Sequence, residues 1–194
     1  PPLKPLDKFE NHTGLSYTTI IAEAFGVRCE VTFFVPKSDQ VLLQDIKVTN
    51  ISDKALHVEV VPVYEFTHFD ALKQLLNADW VPQTMTLKAH QQESGHTVLE
   101  QYAFMKRDCA VNLMTADRPA TSFDGDRQSF LGQFGYGTWA APQALENDEL
   151  CTTECLRGDN IGALNLRLGW LSPEQKERTV EQNAQQESPK AAHP

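Results

Sequence analysis

The sequence predicts an antiparallel all-β sandwich with one short helix. Three observations carry that expectation. Short runs alternate apolar and polar residues, turn-forming clusters separate the runs, and one stretch alone shows helical spacing. With 194 residues, 41% hydrophobic and 22% charged, the chain can bury the core of one domain of ordinary size.

Residues 26–36 place Val27, Cys29, Val31, Phe33 and Val35 on one face and Arg28, Glu30 and Thr32 on the other, the pattern of a half-buried strand. Residues 44–50 repeat it, with Ile46 and Val48 inward, and Asn50-Ile-Ser-Asp-Lys54 is a turn cluster. Residues 56–66 form the next strand, with Leu56, Val58 and Val60 on one face. Pro62 cannot donate to a ladder, so it marks an edge, a bulge or the end of regular pairing. The spacing of Phe69, Leu72, Leu75 and Leu76 predicts a short helix over residues 70–77, capped by Asp70 and broken over 77–82. Strand patterns return at 84–89, 97–105 and 110–115. Residues 117–147 are polar and glycine-rich, too long for a simple connector. Residues 161–168 are the last strand expected. From residue 172 onward Val180 is the only bulky aliphatic residue, so 172–194 reads as a solvated, disordered tail. The division expected is therefore a leader at 1–8, a β domain at 9–171 and that tail.

The formal net charge of −9 provides no electrostatic footprint for nucleic acid or an anionic membrane. No apolar run reaches the roughly 18–20 residues that span a bilayer, and no phosphate-cradling GxxxxGK[ST] loop occurs. The opening Pro-Pro-Leu-Lys-Pro has neither a Met nor the form of a signal peptide and reads as a cut. The 4 cysteines are too sparse for a disulfide scaffold. Cys151-Thr-Thr-Glu-Cys155 has a metal or redox reading, but no second Cys/His pair stands at zinc spacing. Reduced structural thiols of a cytoplasmic protein are expected.

Several phrases occur together and in order: His12-Thr-Gly-Leu-Ser-Tyr-Thr18, Glu30-Val-Thr-Phe-Phe-Val-Pro36, Val48-Thr-Asn-Ile-Ser-Asp-Lys54, Asp126-Arg-Gln-Ser-Phe-Leu-Gly132 and Ala141-Pro-Gln-Ala-Leu145. Over roughly residues 9–178 the chain resembles the N-terminal domain of glycoside hydrolase family 94, the cellobiose, chitobiose and β-glucan phosphorylases. The resemblance implies a galactose mutarotase-like β-supersandwich. It also implies a partner (α/α)6 barrel, which this chain lacks and which would hold the chemistry. There an aspartic acid protonates the glycosidic oxygen and inorganic phosphate attacks with inversion. The second carboxylate of an inverting hydrolase is dispensable, because phosphate is already a nucleophile. No cofactor is implied; phosphate is a substrate of the parent family. In the family, the stretch like Leu171-Ser-Pro-Glu-Gln-Lys-Glu177 leads into an apolar strand. Here it leads into Arg-Thr-Val-Glu-Gln-Asn-Ala-Gln-Gln, so the domain is expected to be incomplete at both ends.

The family's segment after the short helix reaches the partner subunit's active site through a Gln-Arg pair. The positions that correspond here are Asp79 and Trp80, so the acceptor preference of cellobiose phosphorylase does not transfer. Asp79, Trp80 and Gln83 in the 77–83 loop, with Arg127, Tyr136 and Trp139 in the 117–147 stretch, are the candidate sugar-binding residues. For Trp80, Tyr136 and Trp139, stacking on sugar and packing in a core or interface both stay open. Arg127 is expected to pair with a nearby carboxylate, with Phe130 and Leu131 packed and Gly132 supplying backbone freedom. Asp124-Gly-Asp126 reads as an Asp-Gly turn rather than an acid/base pair or metal loop. The Asp-x-Asp of nucleotide-sugar transferases needs an α/β pattern absent here. His57 and His68 lack a Ser or Cys partner at motif spacing. The expected function is a non-catalytic carbohydrate-binding and homodimer-forming domain of a cytoplasmic β-glucoside phosphorylase. A free-standing carbohydrate-binding module and a remnant of a broken gene are the alternatives.

Overall fold

The computed structural model describes residues 4–66, 85–103, 110–132 and 138–187. Twelve strands and two short helical turns are named among them: β1 (Lys8–Thr13), β2 (Tyr17–Ala24), β3 (Val27–Phe34), β4 (Val41–Asn50), β5 (Leu56–Val60), β6 (Val63–Tyr64), β7 (Met85–Gln91), β8 (Thr97–Ala103), β9 (Ala110–Ala116), β10 (Ser122–Asp126), the helix α1 (Arg127–Leu131), a 3-10 turn (Gln143–Glu146), β11 (Asn160–Leu171) and β12 (Lys176–Glu187). They form an 8-stranded sheet in the order β1-β2-β3-β4-β12-β9-β8-β7, and a smaller sheet in which β11 pairs with β10, β5 and β6. All the registered pairs are antiparallel, as the sequence predicts. The helix expected over 70–77 lies outside the described residues.

Local chemistry explains the pairing. Ala24 and Val27 pair across the two-residue turn Phe25-Gly26, in which both residues have positive φ (55° and 77°). Such a turn matches the natural twist of a hairpin. The turn after β4 is built on Asn50: Oδ1 accepts from Ser52 N (2.9 Å) and Ser52 Oγ (2.7 Å). Pro62 ends the β5 ladder, as expected, and the chain resumes pairing with β11 at β6.

The core lies between the sheets in two clusters. Ile46, Val48, Val58 and Leu171 form one, with Val27, Cys29 and Val31 packed on it. Leu87, Leu99, Met114, Leu164, Leu166 and Cys155 are in the other. A third cluster lies on the outer face of the small sheet, where α1 and the 3-10 turn cover Ile161 and Ala163.

Two expectations are corrected. The tail expected from residue 172 contains β12, a strand inside the large sheet that pairs with β4 over 176–184 and with β9 over 181–187. Its inward row is Thr179, Glu181 and Asn183, all buried, while Val180 is on the other face. Alternation is present but made of polar residues, so hydrophobicity does not reveal it. On the outer face Arg178 clamps Asp45 of β4 with two bonds of 2.6 and 3.1 Å, which supports the register. The second correction concerns Asp124-Gly-Asp126. It forms the end of β10, with a register shift between the two aspartates, rather than a turn.

Candidate functional site

Two of the predicted residues, Arg127 and Trp139, come together beside α1. Asp126 caps the helix, its Oδ1 accepting from Ser129 N at 2.9 Å. That fixes Arg127 at the first helical position. Its guanidinium carbon lies 5.7 Å from the centroid of the Trp139 ring, and its Nε is 3.6 Å from Glu65 Oε1. Glu65 is the carboxylate partner expected for Arg127. Trp139 is half-buried and tilts against Phe130, with ring centroids 5.9 Å apart. Trp139 thus spends part of its surface on the core and part on a cation–π contact. Asp79, Trp80, Gln83 and Tyr136 lie outside the described residues.

Beside this pair is a cleft of about 510 Å³ lined by Asp126, Gln128, Ser129, Gly132, Gln143 and Asn147, among others. It forms because two stretches of sequence interlock. Gly132 has φ +89° and lies against Gln143, so that a Cβ there would collide with the Gln143 side chain. The lining supplies amides and a hydroxyl, groups suited to hydrogen-bonding a neutral polyol.

The carboxylates and thiols near the cleft have structural work. Asp124 is fully buried and accepts from Thr153 Oγ1 (2.9 Å), Cys151 N (3.3 Å) and Thr153 N (3.4 Å). Burial pushes its carboxyl up from the ordinary value, against the pull of these hydrogen bonds. Burial also raises both thiols: Cys155, in the core and near Asp126, goes to about 11, and Cys151 is raised too, by burial and by the Asp124 charge beside it. Both are thiols rather than thiolates at neutral pH, and neither forms a disulfide. Among the described residues no cluster of His, Cys, Asp and Glu could hold a metal ion. No helix of the described chain is long and apolar enough to cross a membrane.

A second, open cleft of about 820 Å³ lies on the half of the small sheet that α1 leaves uncovered. Its floor is Glu59, His57 and Arg167, and the loop after the 3-10 turn forms its wall. Of these residues the sequence singled out only His57, and not as a binding residue. The signal available was Gly169 inside an alternating strand, a mark of a bulge.

The glycosyl hydrolase 94 supersandwich-domain family matches residues 1–194. An N,N'-diacetylchitobiose phosphorylase from Vibrio furnissii is 28% identical over 182 residues, which are 92% of this chain and 22% of that protein. The chain thus spans about a fifth of that relative's length. Among solved structures, a bacterial glucoamylase complexed with acarbose superposes with TM-score 0.56 at 10% identity, over 93% of this chain and 23% of the other. An Escherichia coli K12 protein described as an aldose 1-epimerase gives 0.52 at 10% identity, over 93% and 69%. At such identities these two likenesses concern the fold alone, a mutarotase-like sandwich of antiparallel sheets. The family match over the whole chain and the relative aligned along most of it give one conclusion: the chain belongs to the glycosyl hydrolase 94 supersandwich-domain family.

Proposed function

We propose that this chain is the non-catalytic N-terminal domain of an inverting β-glucoside phosphorylase, working in the cytoplasm as a homodimer with a helical-barrel domain. The observation that carries this reading is the family match along the entire chain, set against a relative more than four times as long. The chemistry, protonation by an aspartic acid and attack by inorganic phosphate, then belongs to the barrel. The part of this chain is to shape the sugar site. Arg127 and Trp139, beside the polar α1 cleft, contribute one wall for a β-gluco-oligosaccharide, and Asp79, Trp80, Gln83 and Tyr136 are the further sugar-binding residues of this reading. The carboxylates around this wall support a non-catalytic role: Glu65 pairs with Arg127, Asp126 is engaged as a helix cap and Asp124 in loop hydrogen bonds.

The test is an assay of sugar-phosphate formation by the purified chain with inorganic phosphate and β-linked disaccharides, cellobiose and N,N'-diacetylchitobiose among them. No turnover is expected. Phosphorolysis by the chain alone would overturn the non-catalytic assignment. Sedimentation at several concentrations tests the dimer, and a monomer at all of them would remove it.

A further inference from the structure

The last strand of the small sheet changes face near its end. Leu164 and Leu166 of β11 point into the core, Asn165 and Arg167 outward. Strict alternation would carry Trp170 inward and Leu171 outward. The opposite is found: Leu171 is fully buried and Trp170 is 70% exposed. The ladder shows why. Arg167 pairs with Glu59 and Gly169 with Val58, leaving Leu168 as an extra residue. Gly169 has φ +85° and absorbs the kink. The bulge therefore re-aims an indole into solvent.

What surrounds that indole is ordered. Trp170 pairs across the strands with His57, the ring centroids 5.5 Å apart and the planes at 62°. Two positions along, Arg167 Nε donates to Glu59 Oε1 at 2.7 Å. Arg167 also donates to the Asp148 carbonyl at 3.4 Å, tying the sheet to the loop wall. Leu150, buried, anchors that wall from behind, its N donating to Ser122 Oγ at 2.9 Å. A flat apolar face thus stands against His57, which lines a groove whose volume is in the range of small-molecule sites.

From this geometry we infer a carbohydrate-binding surface on the outer face of the small sheet, in which Trp170 stacks on a pyranose ring while Glu59, Arg167 and Asp148 hydrogen-bond its hydroxyls. Glu59 and Arg167 neutralise one another, whereas Asp148 and Glu149 leave the groove negative. The ligand is accordingly a neutral oligosaccharide rather than a uronic acid polymer, which like charge would repel. This surface deepens the carbohydrate reading above, and its lining shares only Asn147 with the cleft beside the Arg127–Trp139 wall.

Titrating the full chain with cellobiose and N,N'-diacetylchitobiose, by calorimetry and by NMR of the indole N–H groups, tests the inference. A Trp170→Phe variant assigns the Trp170 signal. Saturable binding that shifts this signal, and that weakens by about tenfold or more in Trp170→Ala, is expected. Trp170→Ala should melt as the parent does, because the indole is largely exposed; the shift in the unsubstituted chain serves as readout if it does not. An anionic oligoglucuronide should bind about tenfold or more weakly than the neutral sugars. Unchanged affinity in Trp170→Ala with an unmoved Trp170 signal would overturn the site and leave carbohydrate binding elsewhere in the chain. No binding at about 10 mM of either neutral sugar would also overturn it. Neither result bears on the turnover assay, which tests the domain assignment separately.

Discussion

Asn50 shows how much a single buried amide holds in this fold. It is fully buried, and its Nδ2 donates to the carbonyls of Lys54 (2.7 Å) and Leu171 (2.8 Å) while Oδ1 serves Ser52. The bond to Leu171 spans 121 residues and ties the turn after β4 to the end of β11. Asn50→Ala would leave the Leu171 carbonyl without that donor in the interior and deprive Ser52 N of its acceptor. An orphaned buried polar group costs about 1–3 kcal/mol. We expect Asn50→Ala to lower the urea midpoint by the equivalent of about 2–3 kcal/mol with an unchanged m-value. A midpoint within error of the parent would show that water replaces these bonds. Asn50 was legible as a turn residue, because Asn50-Ile-Ser-Asp-Lys54 is rich in turn formers. Its reach to Leu171 was not, since no local pattern encodes a contact of that separation.

At the scale of elements, strands with an apolar inward row were legible and strands without one were not. β3, β4 and β5 fall where alternation predicts them, with Ile46, Val48 and Val58 buried. β2 sets Ile20 and Ile21 side by side, which breaks the alternation, and β12 alternates in polar residues. β10 and α1 arise inside the stretch that glycine and polar content marks as irregular. Of the candidate site, Arg127 and Trp139 were found by their setting, but the Trp170 groove depends on a parity shift at Gly169. That shift has its own test. A Cβ at Gly169 would meet nothing within 4 Å, so substitution there costs only the left-handed backbone. Gly169→Ala should therefore destabilise the chain by about 1–2 kcal/mol. Calorimetric melting measures it, and no change in midpoint would mean that the bulge relaxes without the glycine.

At the scale of the whole molecule, the largest electrostatic liability among the described residues is Glu181, on a strand inside the large sheet. It is fully buried beside Ala116 and Gln44 on the flanking strands, and neither carboxyl oxygen has a hydrogen-bond partner. Asn183, two residues on, also lacks partners for both amide atoms. Burial pushes the Glu181 carboxyl from 4.5 up to about 8. The direction of the pH effect follows. Between about pH 4.5 and about pH 8 the folded chain keeps a proton that the unfolded chain has released, so unfolding becomes easier as pH rises. The stability conferred by the protonated acid is complete below about pH 4.5 and lost through about pH 8, a swing of up to roughly 5 kcal/mol. That is a large part of the 5–15 kcal/mol typical of a whole domain. Glu59 works in the opposite direction. Desolvation raises its carboxyl, but the hydrogen bonds from Asn165 and Arg167 outweigh it and leave a net lowering, so its contribution is gained as pH rises through the carboxylate range. Glu59 is partly exposed, and solvent screening keeps that gain small. Urea titrations from pH 5 to pH 8 should therefore show the midpoint falling, and Glu181→Gln should flatten the profile, because the amide has no proton to lose. Glu181→Leu should flatten it too and raise the midpoint at pH 8, where the parent would hold an uncompensated charge. Equal slopes in the parent and Glu181→Gln would mean that water reaches the carboxyl and that β12 is less tightly docked than its ladder implies.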